Sequence, residues 1–284
     1  MRWSDLRARV LSAAILAPLA LGALWLGGIP FVLMIALTAL VLSWEWVSLC
    51  GASRFAPAAL AVPASLLAAG TATVLGQAPA GLGLLALGSA AAWLLSRGAA
   101  CRHRLAAGIP YLGLTIVGML WLRDDPVAGR ANVLFIMLLV WASDIGAYLA
   151  GRLIGGRRLA PRVSPGKTWS GAAGGLVAAA LAGFAVGAVV AGGPVASSGA
   201  GLSAAGWPAQ AALAAATIAA LLGIVGQAGD LLESALKRRF GVKDSGRLIP
   251  GHGGLLDRID ALLAVAPVAA CLALAAGRGV VLWI

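Results

Sequence analysis

Residues 226–260 read GQAGDLLESALKRRFGVKDSGRLIPGHGGLLDRID and connect two apolar runs that are each long enough to cross a bilayer. The segment contains five of the ten acidic residues of the chain: Asp230, Glu233, Asp244, Asp257 and Asp260. Between its two apolar ends lies a glycine-rich loop flanked by Lys and Arg. Acids at two helix ends with a cationic loop between them predict a site for a metal ion and phosphate groups.

The composition excludes an ordinary soluble domain. Of the 284 residues, 61% are hydrophobic and only 11% are charged, and the mean hydropathy is +0.96. The apolar runs are roughly 20 residues long, as in membrane-spanning helices, whereas a transmembrane β-barrel shows alternating segments of about 10 residues. The net charge of +11 reflects the excess of Lys and Arg on the inner side of membrane proteins, so we expect no nucleic-acid partner. Three cysteines without a CxxC pair indicate neither a disulfide framework nor a zinc site.

We therefore predict an all-α, polytopic integral membrane protein with about nine transmembrane helices. The expected spans are residues 10–28, 30–49, 55–75, 79–96, 105–122, 131–151, 171–192, 208–232 and 255–277. All but three of the 21 Lys and Arg residues fall on one set of alternate connections, which predicts the N-terminus inside and the C-terminus outside. A second apolar run follows the first closely, so we expect an uncleaved first helix rather than a signal peptide. We expect one membrane domain, with N-terminal helices in 1–104 and the chemistry in 105–284.

Several carboxylates fall at or near the expected helix ends. Asp230 and Lys237 share one face of the eighth span, and Asp257 and Asp260 share one face of the first turns of the ninth. Asp144 lies at membrane depth in the sixth span, where a carboxylate is costly and typically functional. Hard oxygen ligands suit Mg²⁺, which proteins hold with a few carboxylates and substrate phosphates. The number of metal ions stays open, with room for a second cation.

A second cationic segment, residues 156–171, reads GRRLAPRVSPGKTWSG. Its tripeptide 166–168 is similar to the end of a P-loop, but Pro161 stands where that motif requires a glycine, so we exclude a P-loop. We predict a rigid Ser-Pro turn that displays Lys167 just before a helix. Glu45, in the sequence WEW, carries less weight because a single acid near a helix end can pair or reach toward the interface.

Together these residues resemble the signature of the phosphatidate cytidylyltransferase family, also called CDP-diacylglycerol synthase. The signature is present in three pieces: SALKR at 234–238, KDSG at 243–246 and HGGLLDRID at 252–260. Three further pieces are similar to the family: SDIGAY at 143–148, SPGKT at 164–168 and GDLLES at 229–234. The motifs cover 141–175 and 226–260. The family pattern leads us to expect Glu or Gln where Ser170 stands, so we assign that position no role.

The resemblance implies an enzyme that converts CTP and phosphatidate to CDP-diacylglycerol and pyrophosphate with Mg²⁺. The residues expected in catalysis are Asp144, Asp230, Lys237, Asp257 and Asp260, with Asp230 and Asp257 as metal ligands. Substrate contacts are expected from Ser164, Lys167, Thr168, Ser234, Arg238, Lys243, Asp244, His252, Gly253, Gly254 and Arg258. For His252, an acid–base role and a purely local hydrogen bond both stay open. We further expect contact with membrane lipids, a homodimer, and a location in a bacterial inner membrane with the site facing the cytoplasm.

Three other classes of membrane protein share some of these features. A CDP-alcohol phosphotransferase is disfavoured because the chain has no DG-x2-AR sequence and its closing acids are three residues apart rather than four. A CTP-using polyprenol kinase is disfavoured by the HGG-x-x-DR-x-D stretch. A lipid or anion transporter would carry carboxylates and broken helices near the midplane, whereas here the polar residues gather at one side.

Overall fold

The computed structural model describes residues 3–192, 208–246 and 253–283. Within these ranges the chain forms nine helices and one short β-hairpin. The helices are α1 (Trp3–Leu26), α2 (Gly28–Leu49), α3 (Pro57–Val74), α4 (Ala78–Leu95), α5 (Arg102–Arg123), α6 (Gly129–Leu153), α7 (Trp169–Gly192), α8 (Pro208–Arg239) and α9 (Leu256–Ala276). The hairpin consists of β1 (Arg158–Ala160) and β2 (Ser164–Thr168), and it lies between α6 and α7.

The helices confirm the predicted all-α, polytopic membrane fold. Eight of those described, α2 to α9, are long and apolar enough to cross a membrane. In α1 the apolar stretch with described side chains is shorter and covers Ala14–Leu26. The bounds differ most from the expected spans in α1, which begins at Trp3 rather than near residue 10, and in α8, which continues past residue 232 to Arg239. The sidedness of the termini and the division at residue 104 stay predictions.

Glycine and proline account for several of the helix boundaries. Helix α3 begins with Pro57 in its first turn, where the missing N–H of proline costs no helical hydrogen bond. It ends just before Gly76, whose φ of +77° is a left-handed conformation that glycine adopts without steric cost. The apolar runs are thus divided into separate helices at positions that are visible in the sequence.

Backbone contacts divide the chain into two compact units. One unit comprises Met1–Asp124 with Leu236–Leu263, and the other comprises Asp125–Ala235 with Ala264–Ile284. In the first unit, α5 is largely buried, and Ile109 and Leu112 have no exposed surface. The Trp46 indole on α2 donates a hydrogen bond to the carbonyl of Arg104 on α5 at 3.0 Å, which ties these two helices together.

In the second unit, glycines let α7 lie very close to its neighbours. A Cβ on Gly171 would stand 2.9 Å from the carbonyl oxygen of Ala147, and one on Gly175 would stand 3.0 Å from that of Ser143, both on α6. Gly183 likewise faces Ala215 on α8. Such contacts are typical of membrane helices, which associate through small residues because lipid offers no hydrophobic driving force.

The hairpin corrects one detail of the sequence prediction. Ser164 and Pro165 lie in strand β2 rather than in a turn, and β2 pairs antiparallel with β1. The turn is at Pro161, where the N–H of Val163 donates to the carbonyl of Ala160 at 3.1 Å. Proline is favoured at the second position of such a turn, so Pro161 was the signal that could have located it. The predicted placement of Lys167 just before a helix is confirmed, because α7 begins at Trp169.

Candidate active site

In the first unit, a buried ion pair joins the end of α8 to the start of α9. Lys237 Nζ donates to Asp257 Oδ1 at 2.6 Å, and the two side chains are only 13% and 10% exposed. The backbone N–H of Ser245 donates to both carboxylate oxygens of Asp257, at 3.2 and 2.9 Å. The N–H of Gly254 donates to Oδ2 at 3.0 Å. Asp257 is therefore held in place by one ammonium group and by two backbone amides.

The two glycines before α9 are needed for this geometry. Gly253 has a φ of +80°, and a Cβ there would stand 3.0 Å from Asp257 Oδ2. A Cβ on Gly254 would stand 2.7 and 2.8 Å from the two carboxylate oxygens of Glu45. Gly253 thus supplies a left-handed backbone conformation, and Gly254 permits the close approach of a second carboxylate.

A second lysine–aspartate pair lies in the second unit. Lys167, at the end of β2, forms an ion pair with Asp230 on α8, and their side chains are 27% and 26% exposed. The next residue, Thr168, accepts a hydrogen bond through Oγ1 from the N–H of Gly171 at 3.0 Å, as the N-cap of α7. This cap fixes the junction of hairpin and helix, and thereby the position of Lys167.

The family of the chain follows from sequence comparison. A family model described as "Cytidylyltransferase family" matches residues 7–275. The chain belongs to the cytidylyltransferase family. Among its curated relatives, the phosphatidate cytidylyltransferase of Brucella suis is 39% identical over 264 residues, covering 93% of this chain and 91% of the relative. That of Pseudomonas aeruginosa is 41% identical over 288 residues, covering 96% and 99%.

This membership confirms the predicted family and makes the chain an enzyme of the nucleotidyltransferase class. Both lysine–aspartate pairs lie inside the motifs that carried the prediction, residues 141–175 and 226–260. They bring together predicted site residues that are far apart in the chain: Lys237 with Asp257 and Gly254, and Lys167 with Asp230. Asp230 and Lys237 both lie on α8, as their spacing predicted.

The other predicted site residues of this cytidylyltransferase differ in how far their side chains are exposed. Those with exposed side chains are Asp144 on α6, Arg238 on α8, Lys243 and Asp244 after α8, and Arg258 on α9. Those with half-buried side chains are Ser164 on β2, Ser234 on α8 and Asp260 on α9. His252 lies outside the described residues. The roles assigned to all of these residues stay predictions.

The described carboxylates can be tested for their fit to Mg²⁺. In the part of the chain that the structure describes, no group of three or more His, Cys, Asp or Glu side chains could hold a metal ion alone. Mg²⁺ does not need such a group, because it commonly takes one or two carboxylates and completes its shell with water and substrate phosphates. Asp230 and Asp257 are hard oxygen donors that retain some exposure, and they fit this ion by donor type.

Two residues at the first site were missed or undervalued by sequence reasoning. Glu45 is 3% exposed and accepts hydrogen bonds from the backbone of residues 255 and 256. Ser245, which the motif KDSG contains but to which no role was predicted, donates its backbone N–H to Asp257 and its hydroxyl to Glu45. The signal for Glu45 was a lone acid between two tryptophans at the end of an apolar run, which does not reveal a partner some 200 residues away.

Proposed function

We propose that this protein transfers the cytidylyl group of CTP to phosphatidate, giving CDP-diacylglycerol and pyrophosphate. The observation that carries the proposal is the Lys237–Asp257 pair, because it lies inside the family motif and combines a phosphate-binding cation with a well-positioned carboxylate. The relatives from Brucella suis and Pseudomonas aeruginosa, each named phosphatidate cytidylyltransferase, support the same reaction over nearly the whole chain.

The proposed reaction is an in-line displacement at the α-phosphorus of CTP. A phosphate oxygen of phosphatidate forms a bond to this phosphorus while the bond to the oxygen that bridges to the β-phosphate breaks, and pyrophosphate leaves with that electron pair. The attacking phosphate is already an anion at neutral pH, so no general base is required. Catalysis of this kind depends mainly on positioning and charge neutralisation.

The residues divide these tasks by their chemistry. Lys167, Lys237 and Arg238 would bind phosphate oxygens, and the small glycines 253 and 254 let the backbone approach the nucleotide. Asp230 and Asp257 would hold Mg²⁺, which when bound neutralises charge on the nucleotide phosphates. Asp144 and Asp260 would support them as further carboxylates.

The membrane fold supports a proposal for where the reaction takes place. Phosphatidate is a lipid and CTP is a soluble nucleotide, so the site must meet both at the bilayer edge. We propose an inner-membrane location with the site facing the cytoplasm, where the excess of Lys and Arg is expected, and a homodimeric assembly. Cross-linking of the purified protein in lipid nanodiscs would test the assembly.

The test of the function is pyrophosphate release by detergent-purified protein supplied with CTP, phosphatidate and Mg²⁺. We expect release that requires all three components and yields CDP-diacylglycerol by mass spectrometry. Replacing phosphatidate with diacylglycerol is the matched control, because it lacks the attacking phosphate. Well-folded protein that releases no pyrophosphate would refute the proposal and favour a transporter, which would move lipid without consuming CTP.

A further inference from the structure

Glu45 is a buried carboxylate to which the proposed reaction assigns no task. Its side chain lies at the end of α2 and is 3% exposed. Oε1 accepts a hydrogen bond from the N–H of Leu255 at 2.7 Å, and Oε2 accepts one from the N–H of Leu256 at 2.8 Å. The Ser245 hydroxyl donates to Oε2 at 3.2 Å. A carboxylate buried so deeply needs such donors, because burial removes its water.

These hydrogen bonds replace a cap that α9 does not have in its own sequence. The first N–H groups of a helix have no partner within it and are usually satisfied by a Ser, Thr, Asp or Asn at the N-cap. Gly254 and Leu255 precede α9 and carry no such side chain. Glu45 supplies the missing acceptor from a distant helix, and its negative charge is favourable at the positive end of the α9 dipole.

Two residues connect the hydrogen bonds of Glu45 to those of Asp257. Ser245 donates its hydroxyl to Glu45 and its backbone N–H to Asp257. Gly254, the neighbour of the capped Leu255, donates its N–H to Asp257. Both backbone donors that hold Asp257 are therefore positioned by groups that contact Glu45.

The position of Glu45 is itself firmly determined. The next residue, Trp46, is 2% exposed and donates to the carbonyl of Arg104. The Trp46 ring also packs against Tyr111 and Phe240, with ring centroids 5.5 and 5.7 Å apart. Because Trp46 is fixed in this way, the neighbouring Glu45 carboxylate can hold the first residues of α9 in a defined position.

The geometry points to Glu45 as a positioning residue of the active site, one that holds the α9 N-terminus and Ser245 so that Asp257 stands correctly toward Lys237. This inference rests on the proposed cytidylyltransferase function. Glu45 contacts neither substrate in this scheme and acts only through residues 245 and 254–257. Its loss should therefore reduce turnover more strongly than nucleotide affinity, because Glu45 itself contacts no substrate.

The test is Glu45→Gln in the full-length protein, which keeps the side-chain volume but replaces one acceptor oxygen with an NH2 group that can only donate. We expect kcat per folded molecule to fall roughly tenfold or more, since small misplacements of catalytic groups cost this much. The KM for CTP should change much less, by about twofold at most, because Glu45 itself binds no substrate. Hydrogen exchange should quicken in peptides containing Ser245 and Leu255–Leu256, but not elsewhere.

The matched control is Asp125→Asn. Asp125 is also a buried carboxylate that accepts backbone hydrogen bonds, from Val127, Ala128 and Gly279, and it has no part in the proposed chemistry. Its variant should leave kcat per folded molecule and exchange near Ser245 unchanged. If Glu45→Gln behaves in the same way, Glu45 only stabilises the fold and the inference is wrong.

A second variant covers the case in which Glu45→Gln does not fold. Ser245→Ala removes only the hydroxyl that links the backbone donor of Asp257 to Glu45, and kcat should again fall with the KM for CTP retained. An unchanged kcat in this variant would overturn the inference. Wild-type protein that releases no pyrophosphate would instead refute the proposed function, and the exchange data would still report whether Glu45 holds residues 245 and 254–257.

Discussion

The two lysine–aspartate pairs of this enzyme have the same chemistry and different surroundings. Lys237 and Asp257 are 13% and 10% exposed, and backbone amides of a loop and a helix start also bind the carboxylate. Lys167 and Asp230 are 27% and 26% exposed and join a hairpin to a helix. A buried pair is costly to break because it leaves an uncompensated charge, whereas a more exposed pair is screened by water. We therefore expect the first pair to have the larger structural role and the second pair to exchange its partner more readily for a substrate phosphate.

The largest effect is expected from Asp257→Asn. Turnover should fall at least about a hundredfold, as is typical when an electrostatic contact to the reacting groups is lost. The variant should also lose roughly 3–5 kcal/mol of stability, because the buried Lys237 ammonium loses the charged carboxylate that it contacts at 2.6 Å. Pyrophosphate release and the thermal unfolding midpoint in detergent would measure the two losses. Undiminished pyrophosphate release would still support the proposed enzymatic activity, but it would show that Asp257 is not part of the active site.

Asp230→Asn should show most clearly how the two lysine–aspartate pairs differ in their contributions to turnover and stability. We expect a turnover loss of about tenfold to a hundredfold but a stability loss of only about 1 kcal/mol or less, because Lys167 can be hydrated. The same two assays apply, with samples at equal concentrations of monodisperse protein. A stability loss equal to that of Asp257→Asn would show that exposure does not determine the difference between the pairs.

Thr168→Ala tests how the second pair is positioned. Loss of the α7 N-cap should cost about 1 kcal/mol and loosen the junction that carries Lys167. Turnover should fall by roughly threefold to tenfold, since the lysine remains but its position is less well defined. Thr168→Ser retains the capping oxygen and should recover the thermal unfolding midpoint. If Thr168→Ser is as unstable as Thr168→Ala, the methyl group rather than the cap stabilises the junction.

Asp125→Asn should have the smallest effect on turnover, less than about twofold, because Asp125 belongs to neither pair. Burial raises the pKa of Asp125, but the backbone N–H groups of Ala128, Gly279 and Val127, together with the positive charge of Arg278, outweigh burial and lower the pKa overall. A folded-state pKa below the unfolded value of about 3.9 means that the carboxylate stabilises the fold above that pH. This contribution is lost as the pH falls through the folded-state pKa.

The unfolding midpoint of Asp125→Asn should accordingly lie below that of the wild type at pH 7, and the difference should shrink as the pH is lowered below about 4. A difference independent of pH would show that the geometry of the side chain, rather than its charge, supports the loop. The pyrophosphate assay at pH 7 supplies the comparison with the two lysine–aspartate pairs.

Much of the fold could be predicted from residue pattern. The boundaries of most helices follow from the lengths of apolar runs and from glycine and proline between them, because lipid requires each span to satisfy its own backbone. The hairpin at 158–168 was missed because its strands are too short to show a period. Its turn signal, Pro161, was used only to exclude a P-loop.

The candidate site was predicted in part. Asp230, Lys237 and Asp257 were found because they are charged, lie next to apolar runs and fit a family motif. Their partners within each unit could not be assigned from spacing, since both the pairing of Lys237 with Asp257 and that of Lys167 with Asp230 join different elements. Glu45 was undervalued for the same reason.

The sequence by itself determined that the protein is a helical membrane enzyme of the cytidylyltransferase family. Hydropathy and motif spacing are local properties, and both can be read along the chain. Only the tertiary structure decided which lysine faces which aspartate, why Gly254 must lack a side chain, and how Glu45 caps a helix more than 200 residues away. These features depend on distances across the fold, where burial and dielectric surroundings set the strength of each contact.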